Sequence, residues 1–136
     1  MTVRDIMSPQ VVSVSKDDSV FRAATLMKEN DIGSMPVICD NSVCGMITDR
    51  DIVIRCVANS KNAESCHVGD IMTDMTISAT ASWSVNEALK AMARQQVRRL
   101  PVTDDGKLIG MLSLGDIARQ RISPEIAKAL SEISMP

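Results

Sequence analysis

The sequence predicts an α/β fold in which one β-α-β-β-α unit is used twice. The first observation is an internal repeat: the offset that carries Val3 onto Val68 aligns the two halves of the 136-residue chain without a gap. The second is that strand and helix patterns follow in the same order in each half. A repeat of this length indicates one supersecondary unit used twice, so a site formed between the copies should occur twice.

Each copy opens with a short helical turn and a brief strand. The turns are predicted at Val3–Met7 and Val68–Met72, and the strands at Val12–Val14 and Ile77–Ala79.

An amphipathic helix follows in each copy, beginning after Ser19 and after Ser84. Ser84 and Glu87 predict a capping box, in which each residue's side chain accepts the other's backbone N–H. Apolar residues recur with helical spacing, which gives each helix one buried stripe. The stripes are Val20, Ala23, Ala24 and Met27 in the first copy, and Val85, Ala88, Leu89 and Met92 in the second.

A β-hairpin and a second helix complete each copy. Apolar runs on either side of short polar segments rich in Asp, Asn, Ser and Gly predict the hairpins. The strands are Met35–Cys39 with Val43–Thr48 and Leu100–Thr103 with Leu108–Ser113, and the closing helices run from Asp49 to about Ala58 and from Leu114 to about Ile122.

These elements predict a first repeat at 1–58, a polar linker at 59–65, a second repeat at 66–122 and a C-terminal helix over 123–136. Ser123 is the expected N-cap of that last helix and Pro124 its first residue. Its apolar stripe packs either on its own body or on another subunit. The element order predicts an α/β sandwich in which two small sheets meet face to face with pseudo-two-fold symmetry.

Composition narrows the function. A net charge of −2, one Phe, one Trp and no Tyr give neither a basic surface nor a stacking platform, so nucleic acid is not an expected partner. No apolar run approaches the roughly 20 residues that span a bilayer, and the N-terminus lacks a signal pattern. We therefore expect a cytoplasmic protein with no membrane partner.

The chain offers little for catalysis, since it has a single histidine and no glycine-rich phosphate loop. We expect no enzymatic activity and no required cofactor. Four cysteines, Cys39, Cys44, Cys56 and Cys66, are expected to be reduced and dispensable for folding. The alternative is a metal or redox site, for which Cys66 and His67 are the candidates because thiolate and imidazole both bind zinc.

The most informative motif is Gly-apolar-apolar-Thr/Ser-x-x-Asp, found at Gly45–Asp51 and again at Gly110–Asp116. It places a hydroxyl and a carboxylate at the end of a strand and the start of a helix. The hydroxyl and the unpaired backbone N–H groups suit a phosphate, and the carboxylate suits the two hydroxyls of a ribose. The alternative is that these residues only cap the helix.

The whole chain resembles a tandem pair of cystathionine β-synthase (CBS) domains, also called a Bateman module, of the short stand-alone bacterial type. The resemblance rests on Asp5-Ile6-Met7 with Asp70-Ile71-Met72, on Met35-Pro36-Val37 with Leu100-Pro101-Val102, and on the two Thr/Ser-x-x-Asp segments. It implies a regulatory module, usually a homodimer, that binds AMP, ADP, ATP or S-adenosylmethionine in clefts between the copies.

In that family each cleft combines residues of both copies. Carried over, the first cleft consists of Thr48, Asp51, Ile77, Ser78, Arg98 and Arg99, and the second of Val12, Ser13, Gly33, Ser34, Ser113 and Asp116. Only the first has guanidinium groups for a phosphate, so we expect it to hold the nucleotide and the second to bind more weakly.

We therefore expect a nucleotide sensor that shifts the conformation or association of a partner protein, which the sequence does not identify. A Cys/His redox or metal sensor and a purely structural dimerisation module are the alternatives. Apolar Ile52, Val53, Val57 and Ile117 predict the homodimer.

Overall fold

The structure, a computed structural model, describes residues 1–9, 11–75 and 77–120. The helix expected over 123–136 lies outside these residues, as does the expected helix end at Ile122. The described elements are α1 (Val3–Ile6), β1 (Val14–Ser15), α2 (Val20–Asn30), β2 (Ser34–Cys39), β3 (Ser42–Thr48), α3 (Asp49–Asp51) continuing as a π-helical segment (Ile52–Val57), α4 (Val68–Ile71), β4 (Thr73–Asp74), β5 (Ala79–Thr80), α5 (Val85–Gln95), β6 (Arg99–Asp104), β7 (Lys107–Ser113) and α6 (Leu114–Ala118).

These elements confirm the α/β class and the repeated order. Strands β1 and β5 begin two residues later than expected, and β4 was not expected at all.

Two sheets with matching registers contain the strands. One has the order β1-β2-β3-β4 and the other β5-β6-β7, and in each the first pair is parallel and the next antiparallel. Val37 pairs with Gly45 as Val102 pairs with Gly110, and each hairpin has an irregularity just after that position. The agreement confirms that the sequence repeat is a structural repeat.

Both hairpins turn through residues with left-handed backbone. Asp40 and Asn41 have φ of 48° and 69°, and Asp105 and Gly106 have φ of 49° and 77°. Two successive positive φ values match the twist of the flanking strands, and Asn, Asp and Gly adopt them at least cost. The predicted turn residues therefore determine both hairpins.

Serine side chains begin the two long helices as predicted. Ser19 Oγ accepts the Arg22 N–H at 3.0 Å, and Ser84 Oγ accepts the Glu87 N–H at 3.1 Å. The structure shows only this half of the capping box expected at Ser84, whose backbone instead bridges to Thr2.

The helix expected from Asp49 to about Ala58 has the expected extent but a wider geometry. After α3 the chain continues as a π-helix, in which the Ala58 N–H donates to the Val53 carbonyl at 2.8 Å. The Lys61 N–H donates to the Cys56 carbonyl at 3.0 Å, with the same five-residue spacing. The spacing of apolar residues does not distinguish an α-helix from a π-helix here, because both place a similar apolar stripe on one face over so few residues.

The chain forms two compact units that each combine parts of both sequence repeats. One joins Met1–Val11 to the chain from Ile77 onward, and the other is Val12–Thr76. In the first, the Val3 and Arg4 N–H groups donate to the Trp83 and Ala81 carbonyls at 2.9 and 3.0 Å.

In the second unit, the Val68 and Gly69 N–H groups donate to the Asp18 and Lys16 carbonyls at 2.8 and 2.9 Å. Each short opening helix is thus held by the element that precedes the long helix of the other repeat.

Each unit has its own cluster of buried side chains. In the unit from Val12 to Thr76, Val68 and Ile71 of α4 pack with residues of α2, β2 and β3. In the other unit, Val3 and Ile6 of α1 pack in the same way with α5, β6 and β7. The opening helices are therefore part of the cores.

Glycine permits a close backbone crossing beside each opening helix. A Cβ on Gly45 would lie 2.6 Å from the Thr73 carbonyl oxygen, and one on Gly110 would lie 2.5 Å from the Ser8 carbonyl oxygen. A Met sulfur, Met72 or Met7 respectively, adds a second contact below 3.0 Å. The clashing atoms include backbone, so an alanine would displace the segment after the opening helix.

We expect Gly45→Ala and Gly110→Ala each to lower the free energy of unfolding by about 1–3 kcal/mol, as overpacking does. Urea unfolding followed by circular dichroism measures the change. Gly106→Asn is the matched control, because its left-handed backbone tolerates Asn and nothing lies within 4 Å of a Cβ there. A Gly110→Ala protein as stable as this control would contradict the argument.

Candidate functional site

The junction of β3 and α3 holds Thr48 and Asp51 in a reciprocal capping box. Thr48 Oγ1 accepts the Asp51 N–H at 3.0 Å, and Asp51 Oδ2 accepts the Thr48 N–H, also at 3.0 Å. Thr48 has extended backbone, so the chain changes direction at this residue. Asp51 is buried, which makes it the one charged residue in the described core.

The junction of β7 and α6 repeats this geometry. Ser113 Oγ accepts the Asp116 N–H at 3.0 Å, and Asp116 Oδ2 accepts the Ser113 N–H at 2.9 Å. These residues therefore cap the helix in both copies. This capping leaves the other carboxylate oxygen of each aspartate, Oδ1, for a different partner.

An arginine faces each Oδ1, and the two copies differ in how closely. Arg119 forms a direct hydrogen-bonded ion pair with Asp116 Oδ1. In the first copy, Arg55 Nε lies 3.9 Å from Asp51 Oδ1, beyond hydrogen-bond distance.

The Nη1 of Arg55 instead donates to the Ile71 and Met72 carbonyls, at 3.2 Å each, and so holds the end of α4. The Arg55 guanidinium is therefore not hydrogen-bonded to the Asp51 carboxylate, unlike that of Arg119 to Asp116.

Sequence reasoning missed both arginines. Arg55 follows Asp51 by four positions and Arg119 follows Asp116 by three, which are the spacings that bring side chains together on a helix. This spacing is the sequence signal that would have predicted the two arginine–aspartate contacts.

The residues before each Pro-Val strand lie beside the Thr or Ser of the same unit. In one unit Ser34 pairs with Thr48, and the Asp49 N–H donates to the Gly33 carbonyl at 2.9 Å. In the other unit Arg99 pairs with Ser113, and the Leu114 N–H donates to the Arg98 carbonyl at 2.8 Å.

Arg98 is exposed and Arg99 half-buried. Thr48 and Asp51 belong to one compact unit, and Ile77, Ser78, Arg98 and Arg99 to the other.

The residues expected to line the clefts from the strand side precede β5 and β1. Ile77 packs partly against the cluster of its own unit, and Val12 does the same in the other unit. Ser78 is half-buried and Ser13 is exposed. Each of these serines therefore has a side chain within reach of solvent.

A recess of about 340 Å³ lies beside Arg98 within its unit. It opens between the C-terminal half of α5 and the start of α6. Its lining, which the sequence did not indicate, is Leu89, Met92, Ala93, Gln96, Val97, Arg98 and Leu114.

The cysteines fall into two pairs, which corrects one expectation. Cys39 and Cys44 form a disulfide across the β2–β3 hairpin, so the prediction that all four thiols are reduced is wrong for this pair. Their Cα atoms are 5.7 Å apart, within the range a disulfide requires, because the hairpin returns the chain directly. Cys56 and Cys66 are free and buried, as expected.

The adjacent side chains of Cys66 and His67 differ in their exposure to solvent. The Cys66 thiol is buried, whereas the His67 side chain is exposed and its Nδ1 lies 3.8 Å from Asp70 Oδ2. Within the described residues, no group of three or more His, Cys, Asp or Glu side chains could hold a metal ion. Among the same residues, no helix is both long and apolar enough to cross a bilayer.

The repeat, the paired sheets and the two Thr/Ser-x-x-Asp junctions agree with a known family. The model of the CBS domain matches twice, at residues 3–57 and 68–123. The chain belongs to the CBS domain family. It is a tandem CBS pair, and the resemblance inferred from the sequence is confirmed.

Relatives with this pair are similar over nearly their whole length. The CBS domain-containing protein YhcV of Bacillus subtilis is 37% identical over 134 residues, which are 98% of this chain and 95% of that protein. Hypoxic response protein 1 of Mycobacterium tuberculosis is 35% identical over 136 residues, or 99% and 95% of the two chains.

Solved CBS structures share the fold. The crystal structure of Hypoxic Response Protein I with two coordinated zinc ions gives a TM-score of 0.80 at 35% identity, covering 90% of this chain and 100% of that one. The CBS pair of protein MJ0100, in complex with 5′-methylthioadenosine and S-adenosyl-L-methionine, gives 0.74 at 25% identity, covering 88% and 94%. These comparisons support a regulatory CBS module.

The capping boxes should contribute measurably to stability. We expect Thr48→Ala and Ser113→Ala each to lower the free energy of unfolding by about 1 kcal/mol, because each leaves a helix N-terminal N–H without its acceptor. Thr48→Ser keeps the hydroxyl and should remain near wild type in urea unfolding. Equal losses for Thr48→Ser and Thr48→Ala would show that the methyl group matters and the hydroxyl does not.

Proposed function

We propose that this CBS pair is a sensor of an adenosine-containing nucleotide, which binds at Thr48 and Asp51 together with Ile77, Ser78, Arg98 and Arg99. The candidate ligands are AMP, ADP, ATP and S-adenosylmethionine. The proposal is supported by the family, by the crystallisation of the MJ0100 pair with two adenosine compounds, and by the geometry of Asp51.

The different partners of the two Asp51 carboxylate oxygens are the observation that carries the proposal. Asp51 Oδ2 is held by the Thr48 N–H, which fixes the carboxylate in one orientation, while no guanidinium of the described residues lies within hydrogen-bond distance of Oδ1. A ribose has two adjacent hydroxyls that can donate to such an oxygen, and hydrogen bonds to a charged acceptor are the strong ones. Pre-orientation by the capping box lowers the entropy cost of binding.

The phosphate end is assigned to Thr48 and the two arginines. A guanidinium donates two parallel hydrogen bonds to a phosphate and keeps its charge at every physiological pH. Arg98 is exposed and Arg99 half-buried, so each has a guanidinium within reach of a solvent-borne ligand. Ile77 supplies an apolar wall for the base, and Ser78 a hydroxyl beside it.

The second site, at Val12, Ser13, Gly33, Ser34, Ser113 and Asp116, should bind more weakly. Arg119 already occupies Asp116 Oδ1, so a ribose there must displace an ion pair before it gains its own hydrogen bonds. Gly33 and Ser34 offer no positive charge for a phosphate. The two copies of one motif therefore differ in what they can hold.

Regulation follows as a population shift. A nucleotide that contacts both repeats favours one arrangement of them, and a partner protein that binds this arrangement better is recruited or released. The module needs no chemistry of its own, and the cytoplasmic location expected from the sequence is part of the proposal.

We expect Asp51→Ala to weaken nucleotide binding roughly tenfold to a hundredfold, since loss of a charged hydrogen-bond partner costs about 1.5–3 kcal/mol. The Arg98→Ala/Arg99→Ala double variant should weaken phosphorylated ligands by a similar factor. Calorimetry with AMP, ADP, ATP and S-adenosylmethionine on ligand-stripped protein measures both.

Asp116→Ala is the matched control, because it breaks the equivalent capping box without touching the proposed site. It should change the affinity of the tighter site by less than about twofold, within the range that distant sites show. If none of the four compounds binds the wild-type protein, the proposed function is wrong. If Asp116→Ala is the damaging variant, the choice of site is wrong.

The π-helical segment carries the surface that we propose for a homodimer. Val53 and Val57 are 58% and 62% exposed, and Ile54 is also exposed. Ile117, which the sequence suggested for the same role, is 2% exposed and belongs to the core of its unit. Three large apolar side chains in one short exposed segment favour a protein contact over solvent.

We expect light scattering of the wild-type protein at micromolar concentration to give twice the chain mass. A Val53→Glu/Val57→Glu double variant should give the monomer mass, because burying two carboxylates costs more than the apolar contact gains. Ser82→Glu, at an exposed loop position, is the control and should leave the mass unchanged. A wild-type protein of monomer mass would contradict the homodimer.

A further inference from the structure

Two free thiols lie together in the core of the unit formed by Val12–Thr76. Cys56 is near the end of the π-helical segment and is 0% exposed, and Cys66 precedes α4 and is 8% exposed. Both belong to the same buried cluster. The Cys56 thiol donates to the Lys61 carbonyl at 3.5 Å, and the Cys66 thiol donates to the His67 carbonyl at 3.8 Å. The proposed nucleotide site makes no use of either cysteine.

Backbone hydrogen bonds hold the chain at both cysteines. The Lys61 N–H donates to the Cys56 carbonyl at 3.0 Å, and the Cys66 N–H donates to the Asn62 carbonyl at 2.9 Å. Successive residues, Lys61 and Asn62, thus hold the two cysteines at the ends of one closed loop.

The loop is also fastened to α2. The Cys66 carbonyl accepts the Val20 N–H, and the Ala63 carbonyl accepts the Phe21 N–H, both at 2.9 Å. The loop that joins the two cysteines is therefore fixed at both ends, and both cysteines belong to one core cluster.

We propose that Cys56 and Cys66 form a redox-active dithiol, a modification site that is oxidised by a low-molecular-weight disulfide and closes to a Cys56–Cys66 disulfide. This site is separate from the Cys39–Cys44 disulfide, which joins two strands of the hairpin.

The reaction consists of two thiol–disulfide exchanges. Cys66, the more accessible thiol, loses its proton and attacks one sulfur of the small disulfide, which releases one small thiolate and leaves a mixed disulfide on Cys66. Cys56 then loses its proton and attacks the Cys66 sulfur, which releases the second small thiolate. The two protons end on the two released thiolates, and the two electrons lost by the cysteines reduce the small disulfide to two thiols.

Burial makes the first step slow, and the intramolecular attack by Cys56 makes the second step fast. Burial raises the pKa of the Cys66 thiol, and the neighbouring Cys56 thiol raises it further, so little reactive thiolate is present in the closed state. The loop residues 58–62, 64 and 65 are exposed, and local opening of such a loop is the route by which a reagent reaches Cys66. Cys56 is then already beside the mixed disulfide.

Trypsin provides a specific test, because Lys61 lies between the two cysteines and Lys28 and Arg50 enclose the other two. The native protein is incubated with oxidised glutathione, alkylated in denaturant and digested without reduction. The expected result is a disulfide-linked pair of peptides, Cys56–Lys61 with Asn62–Lys90, in the mass spectrum. The hairpin cysteines stay within the single peptide Glu29–Arg50 and serve as the internal control.

Thermal unfolding supplies the second measurement. Closing so short a loop should raise the melting temperature of the oxidised protein by roughly 5–10 °C over that of the same protein before oxidation. Cys66→Ala should show neither the linked peptides nor the shift, while Cys44→Ala should show both.

Three results would overturn the proposal. One is alkylation of both cysteines with no linked peptide, and another is a glutathione adduct on Asn62–Lys90 that persists without closing. The third is linkage of either peptide to Glu29–Arg50. The wild-type mass spectrum decides among these outcomes even if a cysteine variant fails to fold.

Discussion

The close backbone crossing at Gly45 and Gly110 is the constraint on which each unit of this protein depends. There the segment that follows an opening helix runs against the second hairpin strand of its unit, within a distance that no side chain permits. The crossing allows β4 to pair with β3, and Ser8 to bridge to Met111. It also brings α1 and α4 into the cores of units whose long helix and hairpin come from the other repeat.

At each strand-to-helix junction, the two oxygens of one carboxylate have different partners. In each copy one oxygen of the aspartate closes the capping box, so the group is held rigidly even without ligand. What the other oxygen meets depends on an arginine one helical turn away. The two copies of one repeated motif differ in that contact, with a direct ion pair at Asp116 and a separation of 3.9 Å at Asp51.

The π-helical segment contains exposed apolar side chains, a buried thiol and an arginine that bonds to α4. Its wider turn continues directly from Asp51, presents Val53, Ile54 and Val57 to solvent and buries Cys56. Arg55, from the same segment, bonds to the carbonyls at the end of α4. This one segment thus follows the aspartate in the chain, forms an exposed apolar surface and contains a buried thiol.

The sequence by itself determined the repeated α/β units, the serine caps, the hairpin turns and both Thr/Ser-x-x-Asp junctions. These features are local: hydrophobic period, turn residues and N-cap side chains act within a few residues of where they stand. The internal repeat extended each of them to the second copy, and the family resemblance rested on the same residues.

Only the tertiary structure decided which segments pack together. Helix α1 packs against the strands of the second repeat, and strand β4 pairs with β3 of the first repeat. Both contacts join residues far apart in the chain, and no local sequence pattern encodes them. The Cys39–Cys44 disulfide and the burial of Cys56 and Cys66 in one core cluster depend on how a hairpin and a loop return, which cysteine spacing does not reveal. The burial of Ile117 likewise follows from packing, since an apolar residue can face either a core or a partner.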